Sequence, residues 1–200
     1  MFGVKRMFGA VTILILLVAL MLVGCKTSRS GYESAGYSVV RTAGVFELRD
    51  YEGLTVVETP MATSGNSSNG SFNRLFQFIS GQNQSKQKIS MTTPVFMSGD
   101  STNRAMAFVM PAKLTSSQVP APTDPAVSVR TLPPQRFAVV RFSGSRTSNN
   151  EFAALAKLQM WLASQSLPTN GAPIYAYFDP PWTPSFLRRN EVMLPVPSPR

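Results

Sequence analysis

Apolar and polar residues alternate along this chain in short runs, and the alternation sets its architecture. The runs are Tyr37–Thr42, Val45–Arg49, Leu54–Thr59, Pro94–Met97, Ala105–Met110, Val127–Thr131, Phe137–Phe142, Ile174–Phe178 and Glu191–Leu194. Many carry Val, Phe or Tyr, which suit a pleated, half-buried surface, so the runs predict β-strands. Proline falls mostly between them, where its missing N–H takes nothing from a strand ladder.

Two segments change period. Phe72, Leu75, Phe76 and Ile79 follow i, i+3, i+4, i+7, which predicts a helix over Ser71–Ser80 with those four side chains on its buried face. Gly81 supplies a stop, and Phe78 and Arg74 project away from the stripe. A second helix is predicted over Glu151–Ser164, with Ser148 and Glu151 spaced as a capping box. Phe152, Leu155, Leu158 and Leu162 form its expected buried face, and Trp161 lies off it. The strands Glu52–Glu58 and Gln135–Arg141 each precede a loop and a helix, which predicts an internal duplication. The expected class is α+β: a distorted antiparallel β-barrel with two flanking helices.

Ahead of this domain, Lys5 and Arg6 lead into Val11–Val23, apolar apart from Thr12, and then Gly24 and Cys25, the only cysteine. This is the layout of a bacterial lipoprotein signal, cleaved before Cys25 with lipid attached to its sulfur. Ala10–Gly24 is shorter than the about 20 residues a spanning helix needs. An uncleaved anchor helix and an ordinary secretory signal are the other readings of the same run. The expected organisation is a signal peptide at 1–24, a polar Ser/Gly tether at 25–36 and one domain at 37–196. A lipid-anchored protein of the bacterial cell envelope follows. Lys26 is not the aspartate of inner-membrane retention, which points to the outer membrane, facing the periplasm.

Charge narrows the partners. The formal net charge is +9, of which Lys5 and Arg6 contribute two, leaving +7 on Cys25–Arg200. That balance suits phospholipid head groups or a small molecule bearing carboxylates. The basic residues are scattered, not clustered, so nucleic acid is not an expected partner.

Composition removes much chemistry. There is no histidine, and a lipidated Cys25 cannot act as nucleophile or ligand. Ser-His-Asp catalysis and Cys/His zinc sites are therefore excluded. The Gly/Ser-rich stretch Ser64–Gly70 lacks a phosphate-binding lysine and reads as a connector. Asp50 and Glu52, the one carboxylate pair spaced for hydrolysis, flank Tyr51 at what reads as a solvated turn. Glu47 with Arg49, and Arg189 with Glu191, read as cross-strand or surface pairs. No enzyme is expected.

Several motifs together carry a family resemblance. They are Phe46-Glu47-Leu48-Arg49-Asp50-Tyr51, Phe78-Ile79-Ser80-Gly81-Gln82-Asn83 and Lys88-Ile89-Ser90-Met91-Thr92-Thr93-Pro94-Val95, followed by Tyr175-Ala176-Tyr177-Phe178-Asp179-Pro180-Pro181-Trp182 and Arg188-Arg189-Asn190-Glu191-Val192. In order and spacing this resembles the SOUL haem-binding family, from about Tyr37 to Val196. The resemblance implies the barrel already read from the pattern. It also implies a non-enzymatic module that binds haem or another tetrapyrrole in a shallow apolar groove beside the first helix, roofed by the loop before the last strand. Phe72 and Phe76 fall at its apolar positions, which the helical pattern also assigns to core. Asn69 and Gln77 stand where members carry basic residues that meet the propionates, and Arg74, Lys86 or Arg188 are the substitutes at hand. Trp182, Phe186 and Leu187 fall in the roof.

Some members ligate iron through histidine, which this chain lacks. Thioethers at Met91, Met97, Met106 and Met110, read otherwise as core, and phenols at Tyr51, Tyr175 and Tyr177 are chemically able to ligate it. The expected cofactor is haem held without histidine, and the expected partners are a tetrapyrrole and, through lipid, a membrane. The alternative is a structural or envelope-interaction module that kept the fold and lost the ligand.

Overall fold

The computed structural model describes residues 31–61, 70–99 and 103–198. The expectations placed on residues 1–30, Cys25 among them, and on Asn69 lie outside the described residues. All nine predicted strands form: β2 (Tyr37–Ala43), β3 (Phe46–Tyr51), β4 (Leu54–Pro60), β6 (Val95–Ser98), β7 (Ala105–Val109), β8 (Ser128–Leu132), β9 (Gln135–Phe142), β10 (Ile174–Tyr177) and β11 (Asn190–Val196). They make one antiparallel sheet in the order β2-β3-β9-β11-β10-β6-β7-β4-β8. Two further strands, β1 (Glu33–Ser34) and β5 (Thr92–Thr93), pair in parallel beside it. They are too short to show alternation. Their pairing starts inside the expected tether, where the Ala35 N–H also donates to the Thr93 carbonyl at 2.8 Å.

Two short links force the sheet to curl. β3 and β4 stand second and eighth in the order, yet only Glu52 and Gly53 join them. β9 and β8 stand third and ninth, joined only by Pro133 and Pro134. In a flat sheet, strands six places apart would lie about 29 Å from each other. Three peptide steps reach about 11 Å. The sheet must therefore roll until its ends approach, and it forms the distorted barrel of an α+β fold. The two corners meet at the seam: a Cβ on Gly53 would stand 3.4 Å from the Leu132 carbonyl oxygen.

Rolling gives the sheet an outer face, which carries both helices, and an inner face. Helix α1 (Ser71–Ile79) packs on β4 and β7, and α2 (Ser148–Ser164) on β9 and β11. Under α1 lie Val57, Met97, Met106, Phe108 and Met110, and under α2 lie Leu48, Ala138, Val140, Val192 and Leu194. Tyr175 touches both groups. The inner face holds Tyr51, Val56, Phe96, Val139, Ala176 and Met193. Burying a side chain of this size contributes about 1.5 to 3 kcal/mol, which is what fixes the helices to the sheet.

Both helices form where predicted and keep part of the expected face inward, Leu75 and Ile79 on α1 and Leu158 and Leu162 on α2, but each is rotated from the expected orientation. On α1 the buried residues are Ser71, Leu75, Phe78 and Ile79, while Phe72 and Phe76 are 41% and 47% exposed. Phe78, expected to project away, is in the core. Polar contacts set this rotation: the Ser71 hydroxyl donates to the Pro60 carbonyl at 3.2 Å, and Arg74 Nε donates to Thr59 Oγ1 at 3.0 Å. A serine at the point of closest approach is invisible to a hydropathy count.

On α2 the buried residues are Ala154, Leu158 and Leu162, and Phe152 is exposed. Small Ala154 lets the helix lie close to the sheet. Trp161 is not turned away, because its ring stacks on Phe46 with centroids 4.9 Å apart. The expected capping box does not form. Thr147 is the cap and accepts from the Asn150 N–H, while the Glu151 carboxylate accepts from the Tyr177 hydroxyl.

Candidate ligand-binding site

Phe72 and Phe76 lie one turn apart on the outer side of α1, their rings nearly parallel with centroids 6.1 Å apart. Phe108, edge to face with Phe72 and with centroids 5.2 Å apart, supports it from below. The end of the helix is stitched down by buried Asn83. Its Nδ2 donates to the Phe78 and Gln87 carbonyls at 2.9 and 2.7 Å, and its Oδ1 accepts from Gln87 N–H at 3.0 Å. The last residue of the Phe78–Asn83 motif is thus a structural clamp. Gln77 is exposed and, with Arg74, Gln82, Thr123 and Asp124, borders a hollow of about 180 Å³. Arg74 is committed to the end of β4, donating also to the Pro60 carbonyl at 2.8 Å and to Ser71 Oγ at 3.3 Å. Lys86 is exposed beyond the helix.

The loop between β10 and β11 holds the remaining expected residues. Trp182 and Phe186 are 75% and 73% exposed, and Leu187 and Arg188 are half-buried. Arg188 faces inward along its own loop, Nε donating to the Thr183 carbonyl at 2.7 Å and Nη2 to the Pro181 carbonyl. The Gly144 N–H donates to the Ser185 carbonyl at 2.9 Å, and the Arg189 N–H to Asp179 Oδ2 at 2.6 Å. The loop is therefore braced from within and from the turn after β9, while its two largest side chains stand in water.

The register of the sheet relates the loop to the helix. Phe108, under Phe72, pairs with Val95, and Val95 pairs with Tyr177. The loop leaves the sheet just beyond Tyr177, two strand spacings, or about 10 Å, from the strand that supports Phe72. Large exposed apolar side chains on two braced elements at one end of a sheet mark an interaction surface more often than chance exposure does.

The side chains able to ligate iron are placed differently. Met97, Met106 and Met110 are buried, and Met91 is half-buried against the same core. Burial pushes the Tyr51 phenol up to about 12. Burial first, then the Glu151 carboxylate that it donates to, raises Tyr177 further, and burial raises Tyr175. All three stay protonated at neutral pH. Among the described residues no cluster of three His, Cys, Asp or Glu could hold a metal ion.

The charge pairs read as cross-strand or surface pairs both form, joined in one cluster on the inner face. Arg49 and Glu191 are 3% and 0% exposed. Arg49 Nη1 and Nη2 donate to the two Glu191 oxygens at 2.7 and 3.0 Å, and Arg49 Nε donates to Glu47 at 2.6 Å. Arg189 donates to Glu191 at 2.7 Å and stands over the Phe178 ring. Burial works against the Arg49 charge, but Glu191 and Glu47 outweigh it and hold its pKa above the ordinary value. Asp50, near the end of β3 beside the exposed Glu52 corner, is solvated as expected but not free. Arg136 Nε and Nη2 donate to its two oxygens at 2.6 Å each, which lowers its pKa. The strand pattern hid this cluster because Glu47 and Arg49 alternate with Phe46 and Leu48, as solvent-facing residues would.

Comparison with known proteins identifies the family and the fold. The family model described as SOUL heme-binding protein matches residues 32–195. No curated protein sequence matches the chain. Among solved structures, the EcmrR C-terminal domain is similar, with a TM-score of 0.56 and 15% identity over 80% of this chain and 98% of that one. So is a hydrolase from Listeria innocua, with a TM-score of 0.60 and 10% identity over 79% of this chain and 94% of that one. An uncharacterized conserved protein from Listeria innocua has a TM-score of 0.60 and 11% identity over 76% of this chain and 92% of that one. At these identities the likeness establishes the fold alone.

Proposed function

From the premise that this chain belongs to the SOUL heme-binding protein family, we propose that it binds haem or another tetrapyrrole on the aromatic surface between α1 and the Pro180–Arg188 loop. The observation that carries this reading is the exposure of Phe72, Phe76, Trp182 and Phe186 on elements that are themselves firmly held. A planar macrocycle offers flat apolar area to stacked rings, and each square ångström removed from water contributes about 25 cal/mol. Phe72 and Phe76 form one wall. Trp182 and Phe186 close over the other side, with Arg188 keeping the loop in shape.

Iron ligation contributes little in this reading. The chain has no histidine, and Tyr51, Tyr175 and Tyr177 favour the protonated form. Affinity then rests on apolar contact, which suits carriage or buffering and not catalysis. The layout around Cys25 supports a lipoprotein anchored in the bacterial envelope and facing the periplasm, with the domain held at the membrane by lipid.

One observation favours a second reading, in which the fold serves as an envelope-interaction module without a ligand. Arg74 and Arg188, two of the cations nearest the surface, are engaged by backbone carbonyls. Gln77 stands where a basic residue would meet a propionate.

Titrating Lys26–Arg200 with haemin separates the two. Tetrapyrrole binding predicts a saturable absorbance change and quenching of Trp182, which a Trp182→Phe variant removes while Trp161, stacked on Phe46, is spared. Phe76→Ala combined with Phe186→Ala should weaken uptake without unfolding the domain. A non-saturable response would decide for the second reading.

A further inference from the structure

The inner face of the barrel holds a cavity that the aromatic surface does not include. It has a volume of about 220 Å³ and opens at the seam, where the Glu52–Gly53 and Pro133–Pro134 corners meet. Tyr51 and Phe137 stand edge to face, centroids 5.6 Å apart, and make one wall. Leu54, Phe96, Leu132, Ile174 and Met193 make most of the rest. These side chains offer water almost no hydrogen-bond partners, so an apolar guest gains by displacing it.

Size limits the guest. A dry apolar cavity of about 150 Å³ accepts benzene, and drug-sized pockets begin at about 300 Å³. One ring with a short substituent fits, and a tetrapyrrole does not. The rim supplies the polarity. Glu52 is exposed on the corner that frames the opening, and among the described residues no cation pairs with it. The neighbouring Asp50 is already neutralised by Arg136. The Gln135 amide nitrogen donates to the Arg136 and Val196 carbonyls, which leaves its oxygen as an acceptor at the same rim. A carboxylate and an amide oxygen beside an apolar well select a donor that carries positive charge.

We propose that this cavity is a second binding site, for a small organic cation: a primary amine on a single aromatic or alicyclic ring, with the ring inside and the ammonium at Glu52. The site is local to the corner, so it stands or falls independently of tetrapyrrole binding.

The test uses three probes of one shape, benzylamine, benzyl alcohol and benzoate, titrated into the protein by calorimetry and followed by thermal shift. Benzylamine is expected to bind saturably with Kd of about millimolar or tighter, about tenfold better than benzyl alcohol, with benzoate weakest. Glu52→Gln, a substitution on an exposed corner, should bring benzylamine down to the level of benzyl alcohol. It should leave benzyl alcohol and haemin titrations unchanged. Leu132→Phe, which fills the well, should abolish both benzylamine and benzyl alcohol binding. Equal binding of the three probes, benzylamine affinity that survives Glu52→Gln, or no saturable binding of benzylamine would each overturn the proposal.

Discussion

The two ends of the barrel interior are built from the same strands and filled in opposite ways. Along β3 and β11 the inward positions run from Glu47, Arg49 and Glu191 at one end to Tyr51, Met193 and Pro195 at the other. The first end is packed with ions that satisfy one another, Glu191 accepting from two arginines. The second is apolar and leaves a cavity. An interior can thus be rigid through charge where every charge is matched, and accommodating where the lining is mostly apolar. Perturbing the ends should move stability in opposite directions.

The largest effect is expected from Glu191→Gln. It leaves buried Arg49 and half-buried Arg189 without their shared carboxylate, and urea unfolding should show a loss of about 3 to 5 kcal/mol. A loss below about 1 kcal/mol would mean that water reaches the cluster and that the ends differ less than their burial implies.

Tyr51 stands between the ends and reports on both. Burial raises its pKa from 10.0 to about 12, so the folded state favours the neutral phenol. That contribution, about 2 to 3 kcal/mol, is complete below pH 10 and lost as pH rises toward about 12. Phenolate absorbance should show Tyr51 ionising late, together with loss of the fold. Ionisation of Tyr51 near pH 10 would show that water reaches this end of the barrel.

Filling the cavity should have the opposite sign to breaking the cluster. Leu132→Phe is expected to raise stability by about 0.5 to 1 kcal/mol, read as a higher urea midpoint with an unchanged slope. Marked destabilisation would mean that the walls are already as close as they can come.

The smallest effect belongs to the rim. Arg136 lowers the Asp50 pKa below 3.8, so this pair contributes above that value and its contribution fades as pH falls through the folded pKa. Asp50→Asn should narrow the acid limit of stability slightly, and added salt should erase the difference.

Much of the fold is readable in the chain because strands and helices repeat at different periods. Phe46-Glu47-Leu48-Arg49 announces a strand whichever way it faces. Which side meets water is another matter, since a rolled sheet buries both of its faces and alternation then no longer separates core from solvent. That is why Glu47, Arg49 and Glu191 pass for surface residues. The helices fail in the same respect. Phe72, Phe76 and Phe152 satisfy helical spacing, but Ser71 and Ala154, whose small size lets the backbone approach the sheet, decide the rotation. Trp182 and Phe186 stand out because a proline-rich loop has little use for large rings. The cavity leaves no local mark, since its walls come from seven strands brought together only by closure.

The brevity of the two corners also constrains how such chains can change in length. Residues inserted at Glu52–Gly53 or Pro133–Pro134 would lengthen the reach between strands that now have no choice but to meet, and the seam could part. Insertions that preserve the barrel belong elsewhere, in longer connections such as the one between α2 and β10. At the corners even one added residue would test whether packing alone can keep the barrel shut.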